Sequence, residues 1–490
     1  MREGPRAVLE DYMKGSGPWG KDLAVAMAAA KEMLDAPSGA SWAYLLIYFD
    51  LLIRWWKGRS SGPWEDLKSL FRRRKYWVNA NRLESIQPVM AEILRRDGLP
   101  GVPEGPGLER PLRILFLQQS PCIRNYKYAY ALKRRGHRVT LAYIERPLSE
   151  RYALSDDVYE RSVAIRDFRD FWQLSEGFDL IHSHNEPDTY TVLAAGSSVP
   201  TIHDTHDLMS LGPETGHVVN RILECLANKL CTGRVSVSPY LVGQVKGLYG
   251  GHDGLTVYNF AVLEKPLSKL PKLSERDGRI HIVYEGGMQL GHSYRDPSEL
   301  FIELSKHGFH VHVYPATYSE KVEEVFSPHK NIHYERPVSP KDLIQILSQY
   351  DLGLIPFSVT EQTREVLNAS LGNKLFEYLA AGLPVVAPDL VSYRIFFETY
   401  PFGCVFGGTE DLFRRIPEVS RIRAIDRTFL FDGQVADVER FYASCLLRHA
   451  VDKEGREEVG QRFRAFYRRN VQRWMTFLRG LKRRGIRNLP

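Results

Sequence analysis

One pattern limits what this chain can fold into. Short apolar runs of strand length recur at residues 113–118, 138–144, 179–182, 199–203, 234–237 and 255–258, with helical stretches such as 126–135 between them. A second series follows at 279–284, 309–314, 331–334, 351–356 and 383–387, with helical segments at 297–307, 340–349 and 373–381. Strands that are apolar along their whole length are covered on both faces. Alternation with helices makes such strands parallel. Residues 262–278, rich in Lys, Pro and Ser, interrupt the alternation and read as a linker. The pattern therefore predicts an α/β chain with two doubly wound halves.

Different segments flank these halves. Residues 1–97 read as helical throughout, in four segments at 21–35, 41–57, 64–78 and 81–96. The Gly- and Pro-rich stretch 98–110 can continue neither a helix nor a sheet and reads as a linker. Residues 433–490 read as helices, with Val459, Phe463, Phe466, Val471, Trp474, Leu478 and Leu481 near helical period. Charge is concentrated there. The chain carries 66 Lys and Arg against 59 Asp and Glu, a net +7. Residues 456–490 hold eleven Lys and Arg against two Glu, more than the whole excess. The apolar stretch within 41–57 is too short to span a bilayer. A buried helix or an interfacial one fits it, and Arg54, Trp55, Trp56 and Lys57 suit a headgroup boundary. The expected partner of 41–57 and of 456–490 is a membrane surface. Nucleic acid is not expected, since no binding module accompanies the basic tail. The cysteines, Cys122, Cys225, Cys231, Cys404 and Cys445, are odd in number and contain no C-x-x-C pair. Neither a disulfide framework nor a structural zinc site is expected. The expected location is cytoplasmic, peripheral on the inner face of the membrane.

Ligands of doubly wound sheets bind beyond the carboxyl ends of the strands. In the first half these ends are Gln119-Ser120, His182-Ser-His184-Asn-Glu186, His203-Asp-Thr-His206-Asp207 and Asn259. Ser120, His184 and Glu186 are the expected lining of a cleft on this side. The four histidines invite a metal reading, but the second half offers glycines, not further ligands, at its strand ends. No metal is expected. Hydrogen bonding at a sheet end accounts for any one of them alone; the functional alternative is a histidine that hydrogen-bonds the hydroxyls or reacting group of a sugar in a cleft.

The second half carries sharper signals. Gly286 and Gly287 end its first strand and let a ligand approach backbone N–H groups. Asn373 can start a helix whose free N–H groups and positive dipole end suit a phosphate. Lys374 adds charge, and Glu377 lies at i+3 from it, where its carboxylate can accept both hydroxyls of a ribose. An ordinary surface ion pair has the same spacing. The run Asn373-Lys-Leu-Phe-Glu-Tyr-Leu-Ala-Ala-Gly-Leu-Pro-Val-Val386 resembles the donor-binding helix of GT-B glycosyltransferases, closest to the retaining family 4 type. Residues 131–140 are similar to the first helix–turn–strand of that family's acceptor domain, and Thr205-His-Asp207 resembles its HD strand end.

The resemblance covers about residues 111–480. It implies two Rossmann-like domains facing across a cleft, an acceptor domain at 111–262 and a nucleotide-sugar donor domain at 279–432. Helices at 433–490 would return to the first. It implies sugar transfer from a UDP- or GDP-type donor with retention, without metal or other cofactor; the segments 41–57 and 456–490 add the expectation of a membrane-linked glycan or lipid acceptor. His206 and Asp207 take the catalytic positions. Gly286, Gly287, Arg295, Asn373, Lys374 and Glu377 take the donor positions. Two departures stand out. Ala369 occupies the place of a second glutamate eight residues before Glu377, and Pro121–Asn125 replaces a glycine-rich loop. Alternatives are an epimerase or phosphorylase on the same fold, or a catalytically silent binding subunit.

Overall fold

The computed structural model of the chain describes residues 107–144 and 156–451, with interruptions at 166–167, 186, 195, 212–223, 225–226, 229, 250–253, 293–294, 362, 423–424 and 426–428. Beyond these it describes residues 457, 461 and 464. The helical reading of 1–97, most of the 98–110 linker, Glu186, the membrane segment 41–57 and nearly all of 456–490 lie outside the described residues.

The first sheet has seven parallel strands, β1 (Arg113–Gln118), β2 (Arg138–Tyr143), β3 (Arg161–Ala164), β4 (Leu180–His184), β5 (Thr201–Thr205), β6 (Gly233–Ser236) and β7 (Leu255–Thr256). Their order is β3-β2-β1-β4-β5-β6-β7. The second has six parallel strands, β8 (His281–Gly286), β9 (His310–Pro315), β10 (Ile332–Tyr334), β11 (Leu352–Leu354), β12 (Val385–Pro388) and β13 (Gly403–Phe406). Their order is β10-β9-β8-β11-β12-β13. In both sheets the first strand is central and the order reverses beside it, between β1 and β4 and between β8 and β11. That is the Rossmann-like arrangement, and the reversal points are where ligands of such sheets bind.

The central strands match their sequences. After Arg113 every residue of β1 is buried, and β4 is buried throughout. Two strands, β3 and β13, were not expected from the sequence. Both are four-residue edge strands, and neither contains a fully buried residue. An edge strand needs apolar cover on fewer sides, so its sequence carries little signal. The expected runs 255–258 and 351–356 shorten to two and three strand residues. Flanking residues still bond to neighbouring strands, Val257 N–H to the Ser236 carbonyl and Ile355 N–H to the Val386 carbonyl, both at 2.9 Å.

The segment after β7 packs against the second half. Phe260 stacks edge-on to Phe376 at 5.4 Å, and Tyr258 meets Phe396 at 5.4 Å. Full burial of such a ring contributes about 1.5–3 kcal/mol. Ala261 forms a parallel bridge with Leu430. The helix Val435–Val451 then lies on the first half. The Tyr442 hydroxyl bonds His182 Nδ1 at 2.7 Å, the Arg448 guanidinium donates to the Thr232 carbonyl at 2.9 Å, and Glu439 pairs with Arg135 at 2.8 Å. No helix among the described residues is long and apolar enough to cross a membrane.

Candidate functional site

At the carboxyl edge of the first sheet the helix Ile123–Arg134 follows β1. It buries Arg124 to 2% exposure, beside Asp204 at 0%. All five guanidinium N–H groups have acceptors. Nε and Nη2 donate to the two Asp204 oxygens at 2.8 and 3.0 Å. Nη1 donates to the Val257 carbonyl at 3.0 Å and to Asn259 Oδ1, and Nη2 also reaches the Tyr128 hydroxyl at 3.2 Å. A buried charge is tolerated when it is paired and fully hydrogen-bonded. Burial alone would raise the Asp204 carboxyl; Arg124, with His182, His206 and His184 adding to it, outweighs burial and holds Asp204 well below the usual range.

Around this pair stand the histidines. His182 and His184 share one face of β4, with their rings stacked at 4.4 Å. Asp204 lies 3.3 Å from His182 Nε2 and 3.5 Å from His184 Nδ1. His203, one residue before Asp204, faces the other side of the sheet. It meets Thr191 Oγ1 at 2.8 Å and Asp188 at 3.2 Å. Strand alternation thus splits the four histidines. His184 is a correction to the sequence reading. It is fully buried against Phe116 and Tyr128 and touches His206 at 3.3 Å, so its side chain is not exposed to line a cleft. Among the described residues, His182, His184 and Asp204 are spaced closely enough to hold a metal ion. The Arg124 guanidinium already occupies both Asp204 oxygens, so a cation is in place there.

His206 and Asp207 follow β5 and are partly buried. Asn185 straps them. Its side-chain oxygen accepts the His206 N–H at 2.7 Å and its amide donates to the Asp207 carbonyl at 2.8 Å. Sequence reasoning did not single out Asn185. Its signal was its place directly beyond a central strand. Burial lowers the His206 imidazole to about 3, with Arg124 and His182 adding to the effect and Asp204 opposing it. His206 is therefore neutral at working pH. Burial raises the Asp207 carboxyl, while Ser370 and Arg295 pull it down.

The second half supplies the facing wall. β8 ends at Gly286, whose φ of +122° favours glycine; a Cβ there would stand 3.4 Å from the Lys374 ammonium. Gly287 is exposed, and its carbonyl accepts the Tyr284 hydroxyl at 2.6 Å. The helix Asn373–Ala380 starts opposite. The Lys374 ammonium lies 5.3 Å from the Tyr284 ring centre and 5.5 Å from that of Phe357. The seat of this helix is tight. The Tyr378 hydroxyl accepts the Glu285 N–H at 3.0 Å and donates to the Leu354 carbonyl at 3.4 Å. A Cβ on Gly353 would meet the Tyr378 ring at 2.2 Å, so only glycine fits beneath it. Glu377, next to Tyr378, is partly buried.

Hydrogen bonds join the two walls. The Ser370 hydroxyl donates to Asp207 Oδ1 at 2.8 Å. The Lys127 ammonium donates to the Asn259 carbonyl at 2.8 Å and to Asn373 Oδ1 at 3.4 Å. Lys127, only 3% exposed, was not expected, because a lone lysine in a helical stretch reads as a surface cation. Burial lowers its ammonium to about 8, against the pull of Glu377 and Glu285. Arg295 is exposed and close enough for Asp207 to feel its charge. Ser120 is partly buried beyond β1. Ala369 is 2% exposed and packs with Leu208, Val237 and Leu241, so its side chain is part of a small apolar core.

The profile of Glycosyltransferase Family 4 matches residues 125–263, and a glycosyl transferase-like profile matches residues 295–472. No curated protein matches the chain significantly. Similar solved structures include HepE of Anabaena in complex with UDP, at 16% identity, covering 72% of this chain and 98% of that one with a TM-score of 0.49. Sucrose-phosphate synthase from Thermosynechococcus elongatus is 12% identical, covering 74% and 99% with a TM-score of 0.48. A glycosyltransferase from Rickettsia africae is 14% identical, covering 71% and 99% with a TM-score of 0.46. With one profile on each half and a Rossmann-like sheet in each, the chain has the two-sheet architecture of GT-B glycosyltransferases and resembles family 4.

Proposed function

We propose that this chain transfers a sugar from a nucleoside diphosphate sugar to an acceptor hydroxyl, with retention, in the cleft between the two sheets. The observation that carries this is the juxtaposition across the cleft. His206 and Asp207 lie on one side, and Gly286, Asn373, Lys374 and Glu377 lie on the other, with Ser370 bonded to Asp207. In this reading Glu377 accepts the ribose hydroxyls. The diphosphate faces Gly286, Gly287 and the start of the Asn373–Ala380 helix, where free N–H groups and the helix dipole favour an anion. Lys374 and Arg295 add positive charge as the bond from the sugar carbon to the phosphate oxygen breaks. These groups supply the stabilisation without a metal ion. With retention, the acceptor oxygen bonds the sugar carbon on the face the phosphate leaves. The departing phosphate oxygen is then the nearest base for the acceptor proton. Neutral His206 hydrogen-bonds the sugar and carries no charge of its own into the site.

The donor is of UDP or GDP type. Full-length protein is screened for its melting temperature over UDP- and GDP-sugars, and the transferred product is then identified by mass. A rise with at least one nucleotide sugar is expected. No rise with any would favour a binding subunit without catalysis. Conversion of the donor in the absence of acceptor would favour an epimerase.

The proposed acceptor is lipid-linked, with peripheral contact on the inner face of a membrane. Its support is compositional and comes from residues 41–57 and 456–490. The full chain is expected to co-sediment with liposomes containing anionic lipid more strongly than a chain ending at residue 455. Equal sedimentation of the two counts against the tail.

A further inference from the structure

Lys127 is a buried cation that nothing in the chemistry above uses. It lies one turn after Arg124 on the same helix, yet the two differ in kind. Arg124 spends all five donors inside the first half. The Lys127 ammonium has three N–H groups, and its two partners, the Asn259 carbonyl and the Asn373 side chain, are neutral oxygens. A buried lysine is rare unless it is paired. The carboxylates that act on it, Glu377 and Glu285, both belong to the wall assigned above to the nucleotide.

We infer that Lys127 is a phosphate-contacting residue supplied by the first half of the chain. Its ammonium stands 3.4 Å from Asn373 Oδ1, at the start of the helix that would face the diphosphate. This rests on the reading of the cleft as a nucleoside diphosphate site. Lys127 and Lys374 then approach the diphosphate from opposite walls. On binding, a phosphoryl oxygen takes the place of the longer Asn373 contact, while the Asn259 carbonyl keeps the ammonium aimed. A cation buried away from water interacts more strongly with an anion than an exposed one. The contact also ties nucleotide binding to the approach of the two walls, because the donor is on one half and the helix start on the other.

The test is calorimetric titration of the full chain with UDP, GDP, uridine and guanosine. Lys127→Met is expected to weaken the diphosphates at least ten-fold and leave the nucleosides unchanged. Lys127→Arg, which keeps the charge, is expected to retain most of the affinity. The parent's diphosphate affinity should fall as pH rises through about 8, where the ammonium loses its proton, and Lys127→Met should lack that fall. Unchanged diphosphate affinity in Lys127→Met overturns this inference alone, as does an equal loss for nucleosides. If neither UDP nor GDP binds the parent, the reading of the cleft falls, and this inference with it.

Discussion

Replacing Arg124 with methionine is expected to cost the fold about 3–5 kcal/mol at pH 7, because it leaves the Asp204 carboxylate buried without its partner. The same change strips acceptors of their donors at Val257, Asn259 and Tyr128, so the loss is read as the failure of a network. The pH dependence gives the sign. In the parent, Arg124 holds Asp204 well below its ordinary value, so that pair stabilises the fold above the unfolded carboxyl pKa. Its contribution is lost only as pH falls through the depressed folded value. Without Arg124, burial raises the carboxyl, so the variant loses stability as pH rises through that raised value. The gap between parent and Arg124→Met in urea unfolding should therefore be widest near pH 7 and narrow towards about pH 4. Arg124→Met combined with Asp204→Asn should recover part of the loss. A gap under about 1 kcal/mol, or one that does not change with pH, would show that the pair is not the keystone of this edge.

The parts of the molecule legible in the sequence are those whose signal is local. β1 and the Asn373–Ala380 helix announce themselves, one by an unbroken apolar run and the other by Gly, Asn and Lys at its start. The strand ends that carry His206, Asp207 and Gly286 follow from the same alternation. What the sequence hides is set by distant partners. Arg124 looks like any helical arginine until Asp204, 80 residues on, takes its Nε–Nη2 edge with both carboxylate oxygens. Lys127 looks solvated until Asn373, 246 residues away, closes over it. His184 sits beyond a strand in the sequence, yet the last turn of pleat carries it into the core, behind His206. The edge strands β3 and β13 left little trace because half-covered strands need few apolar residues. Ala369 is instructive in the other direction. Its departure from the family pattern was visible in the sequence. Only the structure shows its methyl group packed with Leu208 and Leu241 while the next residue, Ser370, reaches Asp207.

Glu377→Ala is expected to weaken nucleotide-sugar binding at least a hundred-fold. A carboxylate that accepts both hydroxyls of a ribose makes two hydrogen bonds to a charged group, each contributing about 1.5–3 kcal/mol. Loss of both exceeds the roughly 2.8 kcal/mol that a hundred-fold change represents. The effect should be this large because the helix presenting Glu377 cannot shift to compensate. Tyr378 pins it to both β8 and β11, and Gly353 leaves no slack beneath the ring. Groups on such a rigid element keep their geometry, so truncation removes the contact outright. Glu377→Gln keeps one acceptor oxygen and should lose less than Glu377→Ala.

The most direct measurement is calorimetric titration of a UDP- or GDP-sugar selected by thermal shift into the parent and into Glu377→Ala at equal concentration. Saturable binding by the parent, with at least a hundred-fold loss in the variant, is the expected result. Equal affinity in the two proteins, or no binding of any nucleotide sugar by the parent, contradicts the assignment of this cleft as a nucleotide-sugar site.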